Sequence, residues 1–245
     1  MHLRSCNISC RPEQTIDYPF YKGFNLSDRD KIKDFLDRFA PMSCEYNFAN
    51  LFSWNDTYEH LWTWYKNRIL IYDQTHNQAF MPLGKAMTPK GLVKLSSHLT
   101  RMGLNPDINL VCKDYLEFFP EIERDYEIQE IRDHAEYLYL TEKLYSLNGN
   151  RLHKKRNLIS QFKKRYPGYR IEPIHPGNSQ RIKVFARFLL DRIQGPATEL
   201  ENEYKAISRA LDYFDELEMG GLGLFLENQV VAFSLFSRLN CFTYN

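Results

Sequence analysis

Ser146-Leu147-Asn148-Gly149-Asn150-Arg151-Leu152-His153-Lys154-Lys155-Arg156-Asn157-Leu158-Ile159-Ser160-Gln161-Phe162-Lys163-Lys164-Arg165-Tyr166 is the stretch on which the reading of this chain turns. From Arg151 to Arg165 it holds seven Lys or Arg and no acid, in a chain that balances 32 basic residues against 31 acidic ones. One segment therefore carries a field that the protein as a whole lacks. At about 100° per residue, Leu152, Lys155, Ile159, Phe162 and Tyr166 share one face, the period of an amphipathic helix docked on a core by that stripe. Lys154 and Arg165 point away from the stripe, as a solvated back. Arg156 and Lys163 border the stripe, and Lys155 interrupts it. A cation in such a place must snorkel, pair with an acid or meet an anionic ligand. These three are expected to overlook a groove, without full pairing to acids.

Leu147 to Asn157, followed by Phe162-Lys163-Lys164, resembles the bacterial family grouped with the C-terminal domain of phosphatidylglycerol lysyltransferase. Cys44-Glu45-Tyr46-Asn47-Phe48-Ala49-Asn50-Leu51-Phe52-Ser53-Trp54 is similar to that family's N-terminal signature, and the two occur in the right order. The resemblance extends from about Tyr21 to about Asn240. It implies an α/β (α+β) chain of tandem GNAT-like acyltransferase domains, the fold of acetyltransferases and Fem-type aminoacyl transferases, with mixed, mostly antiparallel sheets flanked by helices. On this reading residues 1–19 form a loosely packed tail, 20–132 the first domain and 133–245 the second. The second is expected to be truncated, because similar family members continue with more strands and helices, and Cys241 to Asn245 departs from the family pattern.

The composition, 43% hydrophobic and 26% charged, is that of a globular protein with room for one large or two ordinary domains. Sixteen Tyr and seventeen Phe suit sheet faces and stacked helices. No run is long and apolar enough for a membrane span or a signal peptide. Cys6, Cys10, Cys44, Cys112 and Cys241 show neither a disulfide framework nor paired metal-ligand spacing, so no metal is expected, and a reducing cytoplasm fits them best.

Along the chain, Ser27 is a candidate cap for a helix with Ile32, Phe35, Leu36 and Phe39 inward, stopped by Pro41. Tyr46 to Trp54 reads as a short helix or a strand edge. Leu61 to Tyr72 reads as two strands about a turn at Lys66-Asn67, and Asn77 to Leu83 as a third. Thr88 caps a helix ended by Gly103. The strand Ile108 to Cys112, the helix Lys113 to Phe119 and the strand Tyr126 to Ile131 suggest a crossover with a parallel pair. Ala135 to Leu140 begins the second unit, followed by the basic helix, a strand at Tyr169 to Ile174, helices at 179–193 and 200–217, and a hairpin on Glu227-Asn228-Gln229.

An acyl-CoA pyrophosphate needs backbone N–H groups of a glycine-rich loop leading into a helix. The chain has no such motif, since Gly220-Gly221-Leu222-Gly223 precedes a strand and reads as a turn. The resemblance implies instead a donor such as an aminoacyl-tRNA, whose aminoacyl group passes to an amine or hydroxyl of a small-molecule or lipid acceptor. Candidate phosphate contacts are Arg151, Lys155, Arg156, Asn157 and Lys163. Tyr46, Trp54 and Tyr166 are candidates to stack a terminal base, against the ordinary reading that such rings are core. Asp133-His134 and His153 are the nearest approach to a catalytic base, and none is assigned. The alternative reading is a non-catalytic anion- or partner-binding module on a degenerate GNAT fold.

Overall fold

The computed structural model describes residues 1–5, 21–39, 41, 43–132 and 135–245. Its centre is a hairpin. Strands β3 (His60–Trp64) and β4 (Ile69–Asp73) are joined by Lys66 and Asn67, both with positive φ, as the right-handed twist of a two-residue hairpin demands. All of β4 is buried, so its alternating side chains feed two cores. Leu70 and Tyr72 meet Leu92, Leu95 and Leu99 of α3 (Pro89–Arg101). Ile69 and Ile71 meet Ile32 and Leu36 of α1 (Arg29–Phe39) and Leu51 and Phe52 of α2 (Phe48–Tyr58). The sheet is thus covered by helices on both faces.

Five further strands complete it: β1 (His2–Ser5), β2 (Lys22–Gly23), β5 (Gln78–Phe80), β6 (Ile108–Asn109) and β7 (Tyr126–Gln129). Their order is β2-β3-β4-β5-β6-β1-β7, and only β5 and β6 run parallel, joined through α3. Thr88 Oγ1 accepts from the Gly91 amide to open α3, with Pro89 at its first position. Helix α4 (Lys113–Phe118) precedes β7.

The second sheet, β10-β9-β8, is antiparallel throughout: β8 (Arg170–Pro173), β9 (Gly220–Leu226) and β10 (Gln229–Phe236). Glu227 and Asn228, both at positive φ, turn the β9–β10 hairpin. Helices α7 (Pro176–Leu190) and α8 (Ala197–Asp212) close a separate core of Ile174, Ile182, Leu211, Phe214, Phe225 and Val230. Helix α8 also packs on α2, where Tyr213 meets the Phe52 ring edge-on at 5.1 Å and the Arg209 guanidinium lies 4.3 Å from its centroid. A mixed α/β architecture with mostly antiparallel sheets flanked by helices is therefore present.

Several local expectations need correction. The supposed loose tail begins as strand: β1 pairs with both β6 and β7, and Leu3 is fully buried between them. The rest of that tail, with Cys6 and Cys10, lies outside the described residues, as does Asp133-His134. The first helix is capped by Asn25 through a 3₁₀ turn at Leu26–Asp28, not by Ser27, because Asp28 reaches back to the Asn25 amide. Gly220 to Gly223 is strand, not turn. A Cβ on Gly221 would lie 2.8 Å from Ile174 Cδ1 and 3.1 Å from the Ser234 carbonyl, so the glycines leave room for close packing. After α5 (Thr141–Ser146), the basic helix forms as α6 (His153–Arg165), but it buries no residue. Among the described residues, its stripe faces Tyr169, Ile171 and Leu224 across an open cleft of about 790 Å³, and no residue of the helix is buried by them.

Leu3→Ala should cost about 2–5 kcal/mol, the range for emptying a well-packed site. Urea unfolding would measure it, and an unchanged midpoint would mean that β1 adds nothing to the sheet. Gly221→Val should cost about 1–3 kcal/mol by overpacking against Ile174 and the β10 backbone. A neutral result in the same titration would show that β9 has slack there.

Candidate functional site

Two regions hold the chemistry, and the first is the basic helix. Gly149, at positive φ, and the 3₁₀ turn Asn150–Leu152 lead into α6. Arg156 is half-buried because its guanidinium donates to two carbonyls of this approach, those of Leu147 and of Gly149, the latter at 3.0 Å. Part of its donor capacity is thus committed to holding the loop. Arg156, Lys163 and Lys164 line an open groove of about 440 Å³ with Ser146, Leu147 and Ser160. Arg151, Lys155 and Asn157 are exposed on the same helix and its approach but do not line the groove. Among the described residues, none of the seven cations from Arg151 to Arg165 lies within 4.0 Å of a carboxylate.

The three stacking candidates fall in different places. Tyr46 is a core residue: its ring is buried and its hydroxyl donates to the Met81 carbonyl at 2.6 Å, so no base can reach it. Trp54 is half-buried, with one face taken by Tyr58 at 5.2 Å and 14°. Tyr166, 37% exposed, packs against Phe162 at 5.2 Å and under the Arg165 guanidinium. Of the three it alone adjoins the basic helix. His153 is exposed at the start of α6.

The second region was missed in the sequence. Glu45, on the 3₁₀ turn Cys44–Tyr46, shares a cleft of about 370 Å³ with Tyr58 at the end of α2 and with His60, Asp73 and His76. Hairpin register builds the His/Asp pair: partner numbers across β3 and β4 always sum to 133, from Trp64 with Ile69 to His60 with Asp73. The turn at Lys66-Asn67 was legible, so this pairing followed from it. Just past β4, the His76 amide donates to Asp73 Oδ1 at 2.9 Å, and His76 Nδ1 lies 2.7 Å from Oδ2. His60 Nε2 is 3.8 Å from the same Oδ2, too long for a hydrogen bond but within ion-pair range.

Burial alone would raise the Asp73 carboxyl. The imidazoles of His60 and His76 and the His76 amide outweigh it and hold the group below its ordinary value. Glu45 goes the other way, since burial pushes its carboxyl up. The Cys44 thiol is pushed up to about 12 by burial, with Glu45 and Glu136 adding to the shift, so it stays a thiol and is no nucleophile at neutral pH. Glu136 closes the rim by accepting the Cys44 amide at 2.9 and 3.0 Å. Among the described residues no group of three or more His, Cys, Asp or Glu is arranged to hold a metal ion, and no helix is long and apolar enough to cross a membrane.

Comparison with known proteins places this geometry. A conserved protein of unknown function from Bacteroides thetaiotaomicron has a similar structure, with a TM-score of 0.79 and 27% identity over 90% of this chain and 76% of that one. No curated protein matches the chain. The pattern of the family described as phosphatidylglycerol lysyltransferase, C-terminal, matches residues 37–244. That match includes both quoted signatures and runs through most of Cys241 to Asn245, which therefore does not depart from the family. Tyr244 bridges back to Arg238, and the Asn245 amide and carbonyl bond to Ser237. Matched over most of its length, the chain belongs to the family of phosphatidylglycerol lysyltransferase C-terminal domains.

Proposed function

We propose that this chain transfers an aminoacyl group from an aminoacyl-tRNA to an amine or hydroxyl acceptor, with the donor's phosphates held along α6. The observation that carries this reading is the charge on α6. Six cations project from a helix that buries none of its residues and, among the described residues, finds no carboxylate, so folding accounts for none of them but Arg156. Phosphate contacts do, because each releases condensed counterions and lowers the free energy of binding a polyanion. Lys163 and Lys164 face the groove beside the loop that Arg156 holds, and Tyr166 offers a ring one turn further on. In the transfer, the acceptor nitrogen or oxygen would attack the ester carbonyl, its bond to carbon forming as the bond to the tRNA hydroxyl breaks. The acceptor's proton ends on that hydroxyl. Membership of the family supports a transfer of this class, and tRNA as donor is part of the proposal.

Binding of aminoacylated and of uncharged tRNA to the full chain, followed across salt concentrations, tests this reading. The double variant Lys155→Gln/Lys163→Gln should weaken binding and flatten the salt dependence by about 0.7–0.9 units for each phosphate that is no longer neutralised. Its stability should stay within about 0.5 kcal/mol of the parent, because exposed cations contribute little to folding. An unchanged slope would remove α6 from the donor site. Binding without loss of the aminoacyl ester in the presence of amines would leave a binding module in place of a transferase. Arg156→Gln should behave differently, lowering stability as well, since it also frees the Leu147 and Gly149 carbonyls.

A further inference from the structure

The cleft beside the β3–β4 hairpin has the opposite electrostatics to α6. Glu45, Asp73 and Glu136 bring three carboxylates to it, and no Lys or Arg among the described residues lines it. The carboxylates alone would say little, because acids gather on many surfaces. A second observation points to a ligand. His60 is 2% exposed and lines the cleft, yet among the described residues its Nδ1 has no hydrogen-bond partner. Buried polar atoms are normally satisfied, and an orphaned one costs on the order of 1–3 kcal/mol. The Asp73 carboxylate lies on the Nε2 side at 3.8 Å and favours the proton on that nitrogen, which leaves Nδ1 as a lone pair that lacks an N–H.

Two more acceptors share the space. The Nδ1–H of a neutral His76 donates a hydrogen bond to Asp73, and its Nε2 is then an acceptor on a side chain 53% exposed. The Glu45 side chain makes no hydrogen bond among the described residues. The walls are completed by the rings of Tyr58 and Phe80, whose faces favour a cation. A volume of about 370 Å³ is at the lower end for small-molecule sites. Anionic ligands are excluded by the carboxylates. A neutral hydroxyl offers a single donor, whereas a primary ammonium offers three donors and a positive charge.

We propose that this cleft binds the ammonium group of a small primary amine, with the Glu45 carboxylate as its counter-ion and His60 Nδ1 as a further acceptor. Amine binding here is independent of whether α6 takes a donor. If transfer does occur, the bound amine is a candidate acceptor. The groups that face the ligand set its pH dependence. Below the raised range of Glu45 the counter-ion is lost, while Asp73 stays ionised through this range. Binding therefore strengthens as pH rises from acid to mildly alkaline and persists until the amine itself loses its proton.

Calorimetric titration of the full chain with butan-1-amine and with butan-1-ol, needing no donor, tests the site. Saturable binding of one amine per chain at pH 8, weaker at pH 5 and absent for the alcohol, is the expected result. Glu45→Gln should weaken the amine by about ten- to a hundredfold, the effect of a hydrogen bond to a charged group. It should fold at least as well as the parent, because burial disfavours the charge it removes. His60→Phe, which removes the orphaned acceptor and keeps the ring volume, should weaken the amine as well. Equal binding of amine and alcohol, no saturable binding, or full affinity in Glu45→Gln would each overturn the proposal. A Zn²⁺ ion that binds one to one and displaces the amine would overturn the ligand class. None of these outcomes bears on tRNA binding by α6, so the two readings fail separately.

Discussion

Asn47 is the residue on which the joint between the two sheets depends. Almost wholly buried, it sits at the start of α2, where its side-chain carbonyl accepts from the Asn50 amide at 3.2 Å and from Ser237 Oγ at 3.0 Å. Its amide nitrogen donates to the Arg238 carbonyl at 2.9 Å. One short side chain therefore caps the helix that covers the larger sheet and ties the segment following β10 to it. Neither task suits another residue type. Asp would lose the donor, Ser would lose the reach, and an apolar residue would leave buried backbone groups without partners at both ends. Asn240 repeats the device nearby, donating to the Pro41 carbonyl at 2.9 Å. The second sheet is held to the first by polar stitching at its edge and by aromatic packing of α2 on α8.

The charge distribution follows from this layering. A chain of net charge +1 is nearly neutral only as a sum. Six of its 32 Lys and Arg crowd onto α6, which buries no residue, and three carboxylates converge at the open end of the β3–β4 hairpin. Opposite fields on different parts of one molecule let a polyanion and a small cation bind without competing. The acidic cleft is built on strands and on a capped helix, which keep it fixed. The basic face stands on a helix held mainly through the loop before it.

Much of the architecture was legible because it rests on local chemistry. The two-residue turns at Lys66-Asn67 and Glu227-Asn228, the Thr88 cap and the 3.6-residue stripes of α3 and α8 depend on residues close in sequence. The errors came where distant residues decide. Residues 2–5 look featureless until β6 and β7 supply partners more than a hundred residues later. Gly220 to Gly223 resembles a turn unless it is known that Ile174 and Phe236 occupy the space its side chains would need. The stripe on α6 has the right period but lacks an apolar surface to meet, which periodicity cannot reveal. For the sites the pattern is similar. Charge density marked α6, whereas His60, Asp73 and Glu45 come from three separate elements, and only the register of the hairpin brings the first two together.

The placement of β1 bears on how the chain reaches this state. Residues 2–5 leave the ribosome before every strand they pair with, and they end between the two latest-made strands of their sheet. Their neighbours, β6 and β7, are not both available until residue 129 has emerged. Until then the sheet is open beyond β6, with the edges of β6 and, later, β7 unpaired and exposed to other chains. Contacts of such long sequence separation form late, after the loop entropy between them has been overcome. The hairpin of β3 and β4 can assemble early around its own turn, so the sheet is expected to grow outward from the acidic cleft and to close at the seam that β1 fills.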